Sequence, residues 1–181
     1  MPGLDVLLPR FFRNFYLSKK GIKVIYSSDL PRALGTAKIV SAVLNLRINV
    51  SPKLREIEVP KEAWEEYVKT RHPDFDFYPG GGESINDLIE RAKQGLNEIV
   101  KGSGGENIAV VCHGIFIKAL LYGLGYKDYL IKNDHVANTG VTILQYKRDK
   151  AKLVKFNSYK HLLPLRVKET VGNLGRALRR Q

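Results

Sequence analysis

The chain is poor in cysteine and has no long apolar run, which argues against a disulfide-bonded protein and against a membrane-spanning one. Cys112 is the only cysteine among 181 residues, which excludes an internal disulfide and fits a reducing cytoplasm. The longest apolar run, around Ala119 to Leu121, is broken by polar and charged neighbours, so no segment is expected to span a bilayer. The opening MPGLDVLLPRFF lacks a positively charged stretch and a small-residue cleavage site, so no signal peptide is expected. We therefore expect a cytoplasmic protein with no membrane partner.

Acidic residues are also scarce, and the resulting positive charge is concentrated near the C-terminus. The 30 Lys/Arg and 18 Asp/Glu give a net charge of +12. Residues 148–181 hold ten Lys/Arg against Asp149 and Glu169, a net of +8, so only +4 remains for residues 1–147. A basic protein attracts anions, including phosphate esters, nucleic acid and acidic lipid. Because the charge lies in the tail, we interpret it as a solvated basic terminus that says little about an active site.

Strands and helices alternate along the chain. With 44% apolar residues, the length fits one domain, or one domain with an appendage. Buried or short strands are predicted by β-branched and alternating patterns at 22–27, 46–50 and 107–112, with a hairpin at 139–147 and 151–157. Helices are predicted from Pro31, from Ser84 with a capping box to Asp87, and from Gly114, whereas residues 59–83 are predicted to be irregular. This alternation predicts an α/β fold, a three-layer sandwich with a largely parallel central sheet flanked by helices.

Polar residues follow two of the predicted strands. Ser27-Ser28-Asp29 ends the first, and His113-Gly114 ends the strand at 107–112. In open parallel sheets, ligands bind at the carboxyl ends of the strands. These two strand ends are therefore the candidate site.

Five motifs occur in an order that resembles one known family. They are SSDLPRALGTA from Ser27, Leu54-Arg55-Glu56, Gly82-Glu83-Ser84, Val110-Val111-Cys112-His113-Gly114, and Asn138-Thr139 with His161-Leu162. In this order they are similar to the histidine phosphatase (phosphoglycerate-mutase-like) superfamily. The resemblance runs from residue 22 to 162 and implies a phosphoglycerate-mutase-like α/β fold and phosphoryl transfer through a phosphohistidine. It implies a small phosphorylated substrate and no metal or other cofactor.

The resemblance implies roles for three residues. Arg32 would bind the phosphoryl group, since a guanidinium offers a bidentate fork for phosphate oxygens. His113 would be a catalytic pocket histidine that stabilises the transferring phosphoryl, and Glu56 would be the catalytic acid and base. Each has a structural alternative: Arg32 as a solvated helix residue, His113 as a satisfied core histidine, and Glu56 as part of a charged surface.

The sequence offers three further candidate side chains: Cys112, Trp64 and Tyr67. Cys112 is interpreted as an inert core thiol, since nothing in the sequence indicates an activated thiolate. Trp64 and Tyr67 are interpreted as lining a substrate mouth or, equally, as packing.

The sequence departs from the family at the segment that carries the nucleophile. The family opens with a strand ending in Arg-His-Gly, and this triplet does not occur here. Arg71-His72-Pro73 comes too late in the chain, so His72 is interpreted as a loop residue. In the favoured alignment, residues 9–20 are the family's first helix and the nucleophile strand is missing. In the other, residues 6–8 are that strand and Phe11 replaces the histidine.

Several functions remain open at this point. The leading hypothesis is a phosphomonoester hydrolase whose native chain begins upstream of Met1 and which is inactive as written. Only 57 positions separate Glu56 from His113, too few for the large insertion that resembles mutases, so phosphatase ranks above phosphoglycerate mutase. A non-catalytic relative that binds a phosphorylated ligand is a further alternative. A nucleic-acid-binding module ranks last, because the tail has no aromatic residue beyond Tyr159 to stack on bases.

The domain boundary is placed before a final helix. Residues 1–163 would form the phosphoglycerate-mutase-like domain and 164–181 a basic amphipathic C-terminal helix. Its apolar stripe is spaced at i, i+4, i+7 and i+11 and comprises Val167, Val171, Leu174 and Leu178. Because so marginal a helix needs a surface to bury against, we expect it or a second copy of the chain to cover apolar surface left by the missing strand. Self-association would be a consequence.

Overall fold

The computed structural model describes residues 16–70, 76–132, 135–147 and 150–158. The chain divides into two compact units between Asp134 and His135. The first unit contains a three-stranded parallel sheet flanked by helices, and the second contains a two-stranded antiparallel sheet. The α/β class with a parallel sheet, predicted from the alternation of patterns, is confirmed. The proposed boundary at 163/164 and the C-terminal helix lie outside the described residues.

The elements are numbered in chain order. The strands are β1 (Val24–Ser27), β2 (Ile48–Val50), β3 (Ile108–Val111), β4 (Val141–Lys147) and β5 (Lys150–Ser158). The helices are α1 (Pro31–Leu44), α2 (Lys61–Thr70), α3 (Ile85–Gly102), α4 (Gly114–Gly123) and α5 (Lys127–Lys132). None of the helices in these ranges is long and apolar enough to cross a membrane.

The parallel sheet has the order β2-β1-β3, so β1 is central. Ser27 at the end of β1 is in register with Val111 at the end of β3, and the Ser28 amide donates to the Val111 carbonyl across 2.9 Å. Ile25, with no exposed surface, anchors the core under the sheet with Val40 of α1. The residues that follow the two strands therefore emerge at one edge, as the sequence predicted.

The two clearest predicted helices are confirmed. Helix α1 begins at Pro31, as predicted, and buries Ala33, Ala37 and Val40, which lie on one face. Helix α3 begins with the predicted capping box, in which the Ser84 hydroxyl accepts from the Asp87 amide across 3.1 Å. Both helices bury an apolar face.

The prediction of irregular structure over residues 59–83 is wrong for its first part, which is α2. The segment KEAWEEYVKT contains neither Gly nor Pro and is rich in residues with high helix propensity. Its apolar residues Ala63, Trp64, Tyr67 and Val68 recur at helical spacing, so a helix signal was present, although the segment is only ten residues long and mostly polar. The Pro79–Gly81 turn falls within the stretch that was predicted to be irregular. Helix α5 was not predicted.

The second unit is the predicted hairpin. Strands β4 and β5 pair antiparallel from Val141↔Ser158 to Lys147↔Lys150. Asn157, at φ 46°, lies in the left-handed region, and its side chain accepts from the Ala137 amide across 2.8 Å. This contact ties the segment before β4 to the end of β5. Of the helix predicted over 9–20, only Tyr16–Lys20 is described, as a 3-10 helix; residues 9–15 and His72 lie outside the described residues.

Candidate active site

His113 is held between two polar groups at the end of β3. Its Nδ1 accepts a hydrogen bond from Arg32 Nε across 3.1 Å, and its Nε2 lies 2.9 Å from Ser28 Oγ. Because a guanidinium can only donate, Nδ1 must be unprotonated, and the imidazole is neutral with its proton on Nε2. Burial is the main cause that lowers the pKa of His113 to about 4, and the positive charges of Arg32 and Arg91 add to it. His113 is 6% exposed.

Ser28 links the two strand ends. Its side chain is fully buried, and its hydroxyl accepts from the Leu30 amide across 3.2 Å as well as contacting His113. The hydroxyl therefore fixes both the start of α1, which carries Arg32, and the imidazole ring. From the sequence, Ser28 was expected only to be one of the polar residues after the first strand, and its contact with His113 was not predicted.

Glu56 lies at the N-terminus of α4, the helix that follows His113. Its carboxylate accepts from the amides of Ile115 across 3.2 Å and Phe116 across 2.8 Å. The N-terminus of a helix stabilises negative charge because its first amides lack partners within the helix. Glu56 and His113, which are 57 positions apart in the sequence, thus lie at the same end of α4.

Arg91 of α3 fixes the backbone that carries Glu56. Its guanidinium donates to the carbonyls of Lys53 and Arg55 across 3.0 Å and of Glu56 across 3.2 Å. It also forms a bidentate pair with Glu83, at 2.7 and 2.6 Å. The two side chains are 21% and 13% exposed, so this pair is largely shielded from water. The arrangement makes Arg91 a positioning residue for the segment of Glu56.

A second ion pair lies beside the site. Arg55 Nε donates to Asp29 across 2.8 Å, and its Nη1 donates to Glu58 across 3.2 Å. The hydrogen bond from Arg55 is the main cause that holds the pKa of Asp29 below its ordinary value. Asp29 lies just before α1 but pairs with Arg55, and no side chain caps that helix.

An open cavity of about 810 Å³ borders this network. Its lining is partly charged and partly apolar and comprises Leu30, Arg32, Arg55, Glu56, Ile57, Glu58, Val59, Pro60, Trp64 and Gly82. Arg32 and Glu56 both face it, whereas His113 lies behind Arg32 and is not part of the lining. Trp64 lines the cavity and also contacts Tyr67, with ring centroids 5.9 Å apart. Burial is the main cause that raises the pKa of Tyr67, and the negative charges of Glu56 and Glu83 contribute.

The thiol of Cys112 is not expected to react in this site. Burial raises the pKa of its thiol to about 12, so the reactive thiolate is suppressed near neutral pH. Across the described ranges, His, Cys, Asp and Glu side chains form no group that could hold a metal ion.

The structure brings the three predicted site residues into one network. Arg32 contacts His113 directly, and Glu56 is joined to it through the first turn of α4. The sequence did not predict the roles of Ser28 and Arg91. For Arg91 a signal existed, since a cation three positions after buried Leu88 lies on the core-facing side of α3.

The fold is that of an α/β protein with polar residues gathered at the carboxyl ends of parallel strands, and comparison with known proteins identifies the family. A sequence model of the histidine phosphatase superfamily (branch 1) matches residues 14–159. The chain belongs to this superfamily.

Its relatives include two longer proteins and one solved structure. The chain is 31% identical to phosphoglycerate mutase-like protein 4 of Arabidopsis thaliana over 78% of its own length and 66% of that protein. It is 30% identical to bifunctional protein Rv2228c of Mycobacterium tuberculosis, over 77% of the chain and 42% of that protein. The chain thus spans two thirds or less of these relatives.

The solved structure is a histidine-to-alanine mutant of phosphoserine phosphatase from Entamoeba histolytica in complex with phosphoserine. It aligns with a TM-score of 0.66 and 27% identity, and the alignment covers 81% of this chain and 79% of that one.

Proposed function

We propose that this chain carries the phosphoryl-binding and acid-base groups of a phosphatase that hydrolyses a small phosphomonoester through a phosphohistidine. The observation that carries the proposal is the contact of Arg32 with His113 at the edge of a cavity that Glu56 also lines. Membership of the histidine phosphatase superfamily supports a phosphatase-type function. The phosphoserine held by the Entamoeba relative supports a small phosphorylated substrate.

Arg32 would bind the phosphoryl oxygens. Its side chain is exposed, and within the described residues only its Nε has a partner, so both terminal nitrogens are available to an anion. A planar guanidinium suits the oxygens of a phosphate, with which it forms short, charge-assisted hydrogen bonds. Once Arg32 turns to the anion, Nδ1 of His113 is free to take a proton and to donate to the same group.

Glu56 would move protons in both steps. As the ester P–O bond breaks and a P–N bond to the nucleophilic histidine forms, Glu56 gives its proton to the leaving oxygen. In the second step, water attacks phosphorus, its proton returns to Glu56, and the P–N bond breaks. The helix end that holds Glu56 keeps the carboxylate oriented through both steps.

The nucleophile is the group that the sequence as written does not supply. It contains no Arg-His-Gly triplet, and both nitrogens of His113 are engaged. We therefore propose that the 181-residue form has little turnover and that a form extended by a strand and an Arg-His-Gly loop is active. The second candidate function is a non-catalytic protein that binds a phosphorylated ligand through Arg32 and His113. The lack of an Arg-His-Gly triplet favours it as well.

The test compares hydrolysis of p-nitrophenyl phosphate by the two forms. We expect turnover only in the extended form, and its loss on Arg32→Ala or His113→Ala. Lys38→Ala, an exposed cation on the same helix as Arg32, is the matched control and should retain activity. Phosphate binding without turnover in the extended form would favour the non-catalytic candidate. Robust hydrolysis by the 181-residue form, lost on His113→Ala, would show that another nucleophile exists.

A further inference from the structure

The walls of the cavity beyond Arg32 are mostly apolar. Five lining side chains present hydrocarbon or an aromatic ring: Leu30, Ile57, Val59, Pro60 and Trp64. Trp64 is 39% exposed, although a tryptophan ring offers a large apolar area for burial. An exposed tryptophan at the rim of a cavity can stack on a bound ring or cover a hydrocarbon group. This wall therefore favours an apolar leaving group over a hydrated one.

The charges of the lining favour the same kind of leaving group. Its cations are Arg32 and Arg55, and its anions are Glu56 and Glu58. Arg55 is paired with Asp29 and Glu58, so among the described lining residues Arg32 is the only cation that has no carboxylate partner. Among the described contacts, the carboxylate of Glu56 accepts hydrogen bonds only from backbone amides, whereas that of Glu58 is paired with Arg55. If Arg32 binds the phosphoryl group, a carboxylate on the leaving group would therefore meet the like charge of Glu56 without a free cation, which disfavours binding.

We propose, on the basis of the function proposed above, that this site selects phosphomonoesters with an uncharged apolar or aromatic leaving group and discriminates against those whose leaving group carries a carboxylate. Trp64 is the specificity-determining residue, because it is the largest apolar side chain of the wall. Glu56, whose carboxylate is held by backbone amides, supplies the repulsive element.

The test measures affinities of non-hydrolysable phosphonates for the full 181-residue chain by titration calorimetry, so it does not depend on turnover. Methylphosphonate reports the phosphoryl subsite alone, benzylphosphonate adds an aromatic group, and phosphonoacetate adds a carboxylate. We expect benzylphosphonate to bind about tenfold more tightly than methylphosphonate, as partial burial of an aromatic ring predicts. Phosphonoacetate should bind more weakly than methylphosphonate.

Two variants test whether the apolar wall of the cavity causes the tighter binding of benzylphosphonate. Trp64→Ala should remove most of the advantage of benzylphosphonate and leave the affinity for methylphosphonate unchanged. Phe77→Ala is the matched control, because Phe77 is 38% exposed but does not line the cavity, and it should retain the full advantage. Equal loss in both variants would overturn the role of Trp64.

The outcomes separate this inference from the proposed function. If methylphosphonate binds and Arg32→Ala abolishes its binding, the phosphoryl subsite stands. Equal affinities of the three ligands, or tighter binding of phosphonoacetate, would then overturn the leaving-group preference alone. If no phosphonate binds, or if binding is indifferent to Arg32→Ala, the proposed function and this inference both fail.

Discussion

The Nε–H of Arg32 donates to Nδ1 of His113 across 3.1 Å, so a cation and a histidine share a hydrogen bond that only a neutral imidazole can accept. On its other side, the imidazole meets the hydroxyl of Ser28, itself fully buried. Protonation of His113 would place a second positive charge against Arg32 and remove the acceptor. Two measurable pH dependences result from this contact, one in stability and one in anion binding.

The first prediction concerns stability between pH 6.5 and pH 4. The pKa of His113 is about 4 in the folded protein and near the ordinary 6.5 in the unfolded chain, so the unfolded state binds a proton over this range and the folded state does not. The free energy of unfolding should therefore be unaffected by this group above pH 6.5 and fall by at most about 3 kcal/mol as the pH decreases to 4. Urea unfolding across this range measures the slope.

The control is an exposed histidine. His113→Asn should flatten the slope, since the group that titrates is gone, whereas His135→Asn should keep it because His135 is solvent-exposed. Asp29, whose pKa is held below the ordinary 3.8 by Arg55, adds a loss of stability that begins only near pH 5, at the acid end of this range. An unchanged slope in His113→Asn would show that another group causes the pH dependence.

The second prediction concerns the affinity for sulfate, a dianion that does not titrate between pH 4 and 8. A bound dianion favours the imidazolium form, so the pKa of His113 should be higher in the complex than in the free protein. Binding then takes up a proton, and the affinity should rise as the pH falls from 7 towards 5. Titration calorimetry in two buffers of different ionisation enthalpy, at constant ionic strength, measures both the affinity and the proton uptake.

Two variants test the assignment of this effect. Arg32→Ala should weaken sulfate binding at every pH, and His113→Ala should leave a weaker binding that no longer depends on pH. If both variants bind sulfate as the parent protein does, the anion binds elsewhere and the assignment of Arg32 and His113 to an anion site is wrong.

His113 could be placed from the sequence because it lies two residues after a strand, whereas Arg32 was indicated only by the resemblance of the motif around it. A parallel sheet brings the carboxyl ends of its strands together, and the pairing of Ser27 with Val111 does so here. The contact between Glu56 and the amides of α4 could not be derived in this way. It depends on the path of the irregular segment after β2, which no hydrophobic period encodes.

Arg91 was missed for a different reason. Pattern recognition assigns charged residues of an amphipathic helix to the solvent side, yet this arginine lies close to the core-facing stripe of α3. Its partners, three backbone carbonyls and Glu83, come from other segments and exist only in the folded chain. Helix α2 has both helix propensity and apolar residues at helical spacing, so it was missed because the segment is short and mostly polar and not because a signal was absent.

The third prediction concerns this arginine. Arg91→Met leaves Glu83 without its partner and removes the donors from three carbonyls. Loss of one member of a buried pair costs several kcal/mol, and because these side chains are 21% and 13% exposed we expect a loss of about 2–3 kcal/mol. Guanidinium chloride unfolding measures it.

Glu90→Gln is the matched control on the same helix. It breaks the exposed pair with Lys93, whose side chains are 38% and 61% exposed, and should cost less than about 1 kcal/mol. Arg91→Met should also weaken sulfate binding less than Arg32→Ala does, because Arg91 acts on the site through the Glu56 segment. Equal stability of Arg91→Met and Glu90→Gln would contradict the positioning role.

The fourth prediction concerns Gly82, where the chain leaves no room for a side chain. A Cβ at this position would lie 2.3 Å from the carbonyl oxygen of Glu58 and 2.8 Å from Cδ of Pro60. The first contact is with backbone, which cannot move aside as a flexible side chain can. Residues 58–60 also line the cavity, so their displacement would change its wall. We expect Gly82→Ala to destabilise the protein by about 1–3 kcal/mol, the usual cost of overpacking.

Gly35→Ala is the control that separates steric overlap from the general effect of replacing a glycine. Gly35 lies within α1, and a Cβ there would have no neighbour within 4 Å. The substitution should therefore stabilise the protein by up to about 1 kcal/mol, because alanine restricts the unfolded chain and favours the helix.

Thermal unfolding and the benzylphosphonate affinity of the two variants give the comparison. Gly82→Ala should lower both the melting temperature and the affinity, and Gly35→Ala should lower neither. If Gly82→Ala is as stable as Gly35→Ala and binds the ligand equally well, then the segment from Glu58 to Pro60 is free to move, and the wall opposite Arg32 is not the fixed surface that selects a leaving group.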